Sequence, residues 1–166
     1  MTKVRFLGID AFEHDQPPYG ETAKDFLSML VLNKNVCIET DVQENDVYKR
    51  TLGYVFLIKS QNVIARSEAT KQSPKREKVS EIASSGQKPF LAMTNNLIFI
   101  NEELLKNGQA LLYDFPPNIK YISRLKKAQI YARQNMLGVW EKQNYIKETP
   151  YQFRHKRPFK KHMSLQ

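Results

Sequence analysis

The stretch that decides the fold is V-R-F-L-G-I-D-A-F-E, residues 4–13. Residues 4–9 form a short apolar run that ends in polar residues, a pattern typical of a β-strand feeding a loop. Arg5 and Asp10 bracket this strand, and Glu13 follows in the loop. An arginine fork suits a phosphate, a carboxylate suits a hard cation, and a second carboxylate can take a proton from water. The same charges are also typical of solvated strand ends, so their spacing alone leaves the function open.

Periodic apolar patterns outside this stretch predict the remaining elements. Helical spacing predicts two long helices, and alternating or β-branched runs predict strands. The helices are expected over 21–32 and 122–136, and the strands over 36–40, 52–58, 97–100 and 109–113. Asn101 is expected to cap a short helix that ends at Asn107, with Gly108 as its left-handed terminator. Strands that cluster without regular β–α–β alternation indicate a small α+β domain.

The chain is predicted to form one domain over residues 1–150, interrupted by an insertion and followed by a tail. The insertion, 62–96, shows no sustained helical or strand period. Its text resembles a bacterial palindromic repeat element translated in frame, so we expect a passenger loop rather than a regulatory one. The tail, 151–166, is basic and aromatic and is expected to be flexible. Cys37 is expected to be a small packed residue, because it lies on an alternating strand.

The net charge of +9 on 166 residues is concentrated in the insertion and the tail. The insertion carries six basic and three acidic residues, a net of +3, and the tail carries five basic residues and no acid. The insertion has 35 residues and the tail has 16, which leaves 115 residues in the core. These hold 15 basic and 14 acidic side chains, a net of +1. A polyanionic partner therefore has to be recognised by a few placed residues, because the core is nearly neutral.

Membrane-spanning and secretory segments are not predicted. No stretch approaches the roughly 18 consecutive apolar residues of a membrane span, and residues 1–13 lack the basic and then apolar plan of a signal peptide. The chain as given is therefore expected to be cytoplasmic, or secreted or periplasmic if the true start lies upstream. His14, His155 and His162 have no spacing that builds a zinc site.

Five blocks of the sequence together resemble the staphylococcal nuclease (thermonuclease) family. They follow the family's order and are R-F-L-G-I-D-A-F-E at 5–13, Y-G-E-T-A at 19–23, D-V-Y-K-R-T-L-G-Y at 46–54, I-N-E-E-L-L-K-N-G-Q-A at 100–110 and G-V-W at 138–140. The resemblance implies a five-stranded OB-type barrel with packed helices. It also implies a calcium-dependent nuclease that hydrolyses phosphodiester bonds of DNA and RNA without sequence specificity. The expected partner is DNA or RNA rather than a membrane, and the protein is expected to be a monomer.

The resemblance implies three catalytic residues by motif position. Arg5 and Arg50 would hold the scissile phosphate and stabilise its developing charge, which bidentate donors do better than lysine. Glu13 would be the general base, or the carboxylate that orients the attacking water.

The resemblance also implies residues that bind metal and substrate. Asp10 would be a Ca²⁺ ligand together with the main-chain carbonyl of Ala11, a ligand that does not depend on the side chain. Tyr48 would contact a phosphate, while Tyr113 and Phe115 would offer surfaces to a base or sugar. For Tyr113 and Phe115, ordinary packing at the edge of the barrel is an equal alternative.

Three departures from the family's pattern bear on activity. The family's first two strands, which supply a second calcium carboxylate, have no counterpart before Val4, so we expect open strand edges and a weak metal site. Phe12 stands where proline is usual, which removes a backbone restraint from the loop of Glu13. Lys49 stands where glycine usually precedes Arg50. The missing strands leave open a nucleic-acid-binding OB-like module or decayed paralogue that no longer cuts, and the basic tail leaves open a surface-binding protein.

Overall fold

The computed structural model describes residues 3–59, 97–143 and 145–156. The predicted insertion, 62–96, and the last ten residues lie outside the described residues. In chain order the elements are β1 (Val4–Phe6), β2 (Ile9–Ala11), α1 (Tyr19–Val31), β3 (Val36–Glu39), β4 (Thr51–Ile58), β5 (Leu97–Phe99), α2 (Ile100–Lys106), β6 (Ala110–Leu112), α3 (Ile122–Gln134), a 3₁₀ turn (Gly138–Trp140) and α4 (Pro150–Lys156). The predicted helices and strands are found with small differences at their ends. Gly108, with φ of 64°, follows α2 in the predicted left-handed conformation.

Strand β4 organises the main sheet because it pairs with three other strands. β1 runs parallel to its first residues, from Val4 opposite Thr51 to Phe6 opposite Gly53. β3 and β5 run antiparallel to the rest of β4. β2 and β6 form a separate antiparallel pair.

The single strand predicted over 4–9 is divided into β1 and β2. Gly8, with φ of 75°, lies in the turn that separates them. The division lets the two halves join different sheets. Within the described ranges, β1 and β3 pair with no strand other than β4.

The apolar core forms around β4. Its six residues 52–57 are buried in succession, which is typical of a strand covered on both faces. Leu104 and Leu105 of α2 and Leu125 of α3 are almost fully buried in the same core. Cys37 packs against this core, as predicted. No helix in the described ranges has the length and apolar composition needed to cross a bilayer.

Asn101 does not cap α2, so that prediction is wrong. The helix begins at Ile100 with Phe99 in the N-cap position, and Asn101 is fully buried. Its Oδ1 accepts the backbone N–H of Val55 at 2.9 Å, and its Nδ2 donates to the carbonyl of Leu7 at 2.8 Å. Pairing two buried backbone groups matters more than capping a helix end, because unpaired groups in the interior are costly.

The predicted flexible tail differs from the structure in its first part. Residues 151–156 belong to α4. Thr149 and Gln152 form a capping box, in which the backbone N–H of Thr149 donates to Oε1 of Gln152 at 2.9 Å and that of Gln152 donates to Oγ1 of Thr149 at 3.2 Å. Pro150 occupies the first helical position and is buried. This T-P-x-Q pattern is a helix-start signal that sequence analysis missed.

Lys49 adopts the left-handed backbone conformation, with φ of 60°. Its N–H donates to the carbonyl of Asp46 at 3.0 Å and closes the turn before β4. A residue with a Cβ is strained in this conformation, whereas glycine is not. We therefore expect Lys49→Gly to raise the free energy of unfolding by about 0.5–1 kcal/mol in urea denaturation.

Val47→Gly is the matched control, because Val47 lies in the same turn and is 89% exposed but does not have a positive φ. This change should lower stability by increasing the conformational freedom of the unfolded chain. Equal shifts in the two variants would contradict the assignment of strain to Lys49.

Candidate active site

One cavity of about 470 Å³ brings together five of the residues predicted to act in the site. They are Arg5, Asp10, Ala11, Glu13 and Arg50. The cavity lies between β1, β2, the loop after β2 and the first turns of α1, and α4 also contributes to its wall. The candidates for binding a phosphate and those for binding a cation therefore share one surface.

Arg5 and Asp10 reach the cavity from two different sheets. Arg5 lies in β1 opposite Leu52 of β4, and Asp10 lies in β2 opposite Leu111 of β6. The turn at Gly8 redirects the chain between them, so both side chains line the same space. Asp10 is only 9% exposed, and charge interactions are stronger in such a partly dehydrated place than in water.

Packing holds the loop that carries Glu13. Phe12 is 6% exposed, its ring centroid lies 5.0 Å from that of Tyr19, and it belongs to an apolar cluster with Ala132, Val139 and Trp140. On the other side, Gly20 allows the start of α1 to contact the loop backbone, since a Cβ there would lie 1.9 Å from the carbonyl oxygen of Glu13. Burial of Phe12 thus restrains the loop of Glu13, at the position where proline is usual in the family's pattern.

Arg50 is oriented by Asp46. Oδ2 of Asp46 accepts Nε of Arg50 at 2.6 Å, and Oδ1 accepts the backbone N–H groups of Tyr48 and Arg50, both at 2.9 Å. Desolvation opposes ionisation of Asp46, but the N–H donors of Arg50 and Tyr48 outweigh it and lower the pKa of this carboxyl. Because the ion pair uses Nε, the terminal nitrogens of Arg50 take no part in it. Sequence analysis assigned no role to Asp46, although aspartate at this spacing is a turn signal.

Arg154 of α4 pairs with both carboxylates of the cavity. Its Nη2 donates to the two oxygens of Asp10 at 2.8 and 3.1 Å, and its Nη1 donates to Oε1 of Glu13 at 2.9 Å. The bond to Asp10 is the largest of the contributions that raise the pKa of the Arg154 guanidinium. The prediction of a flexible tail is therefore wrong for Arg154. Partners 141 and 144 residues apart have no spacing that a sequence could reveal.

The three predicted aromatic contacts are not among the cavity's lining residues. Tyr48 is 77% exposed and stands beside the cavity, with Cζ of Arg50 5.3 Å from its ring centroid. Tyr113 follows β6, and its ring centroid lies 6.2 Å from that of Phe115. Phe115 packs against the core, which favours the packing alternative for this residue.

The carboxylates of Asp10 and Glu13 are placed so that they could share one cation. Among the described residues that line the cavity, only Asp10 and Glu13 are acidic, and no group of three or more His, Cys, Asp or Glu in the described ranges could hold a metal ion. One guanidinium nevertheless bridges both carboxylates, so their oxygens converge on a single positive charge. A divalent cation at this place would take most of its roughly six to eight oxygens from water and would bind weakly.

The arrangement defines a class of protein. Two guanidinium groups beside two carboxylates can hold a phosphate ester and place water against it, and here they lie on a small α+β domain whose sheet is centred on one long strand. The family model described as Staphylococcal nuclease homologue matches residues 3–67 and 67–142, and the chain belongs to this family. Its fold is accordingly the α+β, OB-like fold of the family.

Several curated proteins are similar to this chain. The thermonuclease of Staphylococcus hyicus is 30% identical over 142 residues, which cover 82% of this chain and 62% of that protein. The thermonuclease of Staphylococcus intermedius is 28% identical over 145 residues, which cover 84% of this chain and 64% of that protein. The SPbeta prophage-derived endonuclease YokF of Bacillus subtilis (strain 168) is 28% identical over 150 residues, which cover 86% of this chain and 38% of that protein. This chain thus spans less than two thirds of the length of each of these relatives.

Proposed function

We propose that this protein is a calcium-dependent nuclease that hydrolyses phosphodiester bonds of DNA and RNA without sequence specificity. The observation that carries the proposal is the convergence of Arg5, Arg50, Asp10 and Glu13 on one cavity. Similarity to proteins named thermonuclease and endonuclease supports the same reaction class.

Arg5 and Arg50 would bind the phosphate from neighbouring strands, because β1 pairs with β4 at Thr51, the residue that follows Arg50. Two guanidinium forks can donate to the non-bridging oxygens in parallel pairs of hydrogen bonds. Those bonds strengthen as negative charge accumulates on the oxygens in the transition state. The two arginines would therefore both position the substrate and stabilise the transition state.

Glu13 would act on the attacking water. The water oxygen forms a bond to phosphorus, the bond from phosphorus to the leaving ester oxygen breaks, and the leaving oxygen takes a proton from solvent. Glu13 accepts the proton that the water releases. Its side chain is 39% exposed, so water reaches the carboxylate, while Phe12 and Gly20 hold its backbone.

Asp10 and the main-chain carbonyl of Ala11 would hold Ca²⁺, since both residues line the cavity and both offer the oxygen ligands that this ion prefers. When bound, the ion supplies charge neutralisation at the phosphate oxygens. Asp10 is well placed for this role because it lies beside Arg5 and Glu13 in the cavity wall.

The lack of sequence specificity follows from the chemistry of the proposed contacts. The arginines would bind phosphate groups, which carry no sequence information. Tyr48, exposed beside Arg50, would contact a phosphate, and Tyr113 would stack on a base or sugar, an interaction open to every base. One copy of the chain would suffice, because all the proposed groups come from a single chain.

The protein is expected to cleave single-stranded DNA and RNA of mixed sequence in the presence of Ca²⁺. Excess EGTA should lower the rate at least a hundredfold, since metal stabilisation of charge contributes several kcal/mol. Asp10→Asn should lose most of the calcium-dependent rate and retain the fold. Electrophoresis of end-labelled substrates measures both effects. Cleavage that EGTA leaves unchanged would contradict the calcium dependence.

A second candidate function is nucleic-acid binding without cleavage. It is favoured by the ion pairs that Arg154 forms with Asp10 and Glu13, since carboxylates paired in this way would serve the structure alone. The arginines would then bind phosphates without hydrolysis. Retention of a fluorescent oligonucleotide with no turnover at any Ca²⁺ concentration would establish this candidate.

A further inference from the structure

Arg154 occupies the oxygens that the proposed function assigns to a cation. Both oxygens of Asp10 accept its Nη2, and Glu13 accepts its Nη1, all within 3.1 Å. A divalent cation bound to the same carboxylates would repel this guanidinium strongly at such short range. Binding of the cation and retention of these three hydrogen bonds are therefore mutually unfavourable.

The helix that carries Arg154 is anchored close to the cavity. Pro150, at the start of α4, is buried, and Nε2 of Gln16 donates to the carbonyl of Glu148 at 2.9 Å, which ties the segment before α4 to the loop after β2. This anchor keeps the guanidinium at a high effective concentration beside the carboxylates. Arg154 thus returns to the site readily whenever the site is free.

The same helix is also easily released. α4 contains seven residues, fewer than an isolated helix needs for stability in water. Its last residues, His155 and Lys156, are exposed, and the ion pair of Lys156 with Glu148 at 2.8 Å is a surface pair, which adds little stability. The Arg154 side chain is itself 36% exposed. Elements with few buried contacts open at low free energy, so the end of α4 can withdraw while its start remains anchored.

We propose that Arg154 is an internal latch that occupies Asp10 and Glu13 until a divalent cation displaces it. The inference rests on the proposed function, because it requires Asp10 to be a cation ligand. The latch offsets part of the negative charge of the two neighbouring carboxylates in the metal-free protein and lowers the apparent affinity of the site for the cation. A site whose binding-competent state is only partly populated binds more weakly by that fraction.

Removing the latch should tighten calcium binding. Arg154 makes charge-assisted hydrogen bonds to two carboxylates, and together these bonds are stronger than a typical exposed ion pair. We therefore expect Arg154→Ala to bind Ca²⁺ about tenfold more tightly than the unaltered protein. Arg154→Lys keeps the charge but loses the fork that reaches both carboxylates, so its affinity should lie between the two.

Isothermal titration calorimetry of the full chain with CaCl₂ tests the latch directly. Lys147→Ala is the matched control, because it removes a positive charge just before the same helix, at an exposed residue that does not line the cavity. It should bind Ca²⁺ as the unaltered protein does. Asp10→Asn should abolish the binding in either background.

The outcomes separate the latch from the proposed function. Equal or weaker calcium binding by Arg154→Ala, with binding intact in the unaltered protein, overturns the latch and leaves the nuclease proposal standing. Absence of calcium binding in both proteins overturns the metal site and the latch together. Equal tightening by Arg154→Ala and Lys147→Ala means a general charge effect and also overturns the latch.

Hydrogen exchange provides a readout that a purely structural ion pair would not change. The amide of Phe153 donates to the carbonyl of Thr149 at 3.0 Å within α4. If Ca²⁺ displaces Arg154, exchange in α4 should accelerate several-fold on adding the ion to the unaltered protein. Asp10→Asn should show no such acceleration. Exchange that stays constant while Ca²⁺ binds would contradict the displacement.

Discussion

Glutamine in place of Glu13 is expected to reduce the rate of phosphodiester cleavage by about a thousandfold, within the usual contribution of a positioned general base. The amide keeps the shape of the side chain and can still accept a hydrogen bond from Arg154, so the cavity should retain its geometry. It cannot take a proton from water at neutral pH. The loss should therefore appear in kcat, with little change in KM.

Glu21→Gln is the matched control, since Glu21 lies in the first turn of α1 and is exposed. The control should cleave at the unaltered rate, and circular dichroism should show that both variants are folded. Single-turnover cleavage of a labelled oligonucleotide, with enzyme in excess, separates chemistry from product release. A Glu13→Gln variant that cuts as fast as Glu21→Gln would exclude Glu13 as the base.

Alanine in place of Asn101 should have the largest effect on stability, lowering the free energy of unfolding by about 3 kcal/mol. Asn101 is completely buried and satisfies the N–H of Val55 and the carbonyl of Leu7. Alanine leaves both backbone groups in the interior without this partner, and each such group costs about 1–3 kcal/mol. For a domain of this size the melting temperature should fall by roughly 10 °C.

Asn107→Ala is the comparison for Asn101. Asn107 is half-buried, and its Nδ2 donates to the carbonyl of Glu103 one turn earlier. Because water can replace that bond, its loss should cost less than about 1 kcal/mol. Urea denaturation monitored by circular dichroism measures both variants. Similar losses for the two changes would show that the bridge made by Asn101 contributes little.

The elements of the fold were predictable where a pattern is local. The uninterrupted run 52–57 in β4 marks a strand buried on both faces, and the alternation in β3 marks a strand covered on one face. Gly108 ends α2 as predicted, because a left-handed residue after a helix favours glycine whatever surrounds it. Such features depend on neighbours in the chain and are therefore visible in the sequence.

Part of the candidate site was predictable for a different reason. Arg5, Asp10 and Glu13 lie within nine residues, and the resemblance to a family linked them to Arg50. The cavity does bring the four together. Their roles in catalysis remain predictions for the experiments described above.

Other features depend on contacts between distant parts of the chain. Asn101 resembles a helix cap in sequence, and only the nearby backbone of Val55 and Leu7 makes it a buried bridge. In the sequence, Phe12 in place of proline suggests that the loop of Glu13 has lost a backbone restraint. Only the burial of Phe12 beside Tyr19 shows how this loop is held. In each case the local pattern is compatible with two roles, and the tertiary environment selects one.

The sequence by itself determined the α+β class and the order of the elements through its periodicity, and its resemblance to a family indicated four charged residues suited to a phosphate and a cation. The tertiary structure alone decided that Arg154, a residue of the tail predicted to be flexible, pairs with Asp10 and Glu13. Ion pairs form wherever folding places opposite charges within a few ångströms, and that proximity has no linear signature when about 140 residues separate the partners.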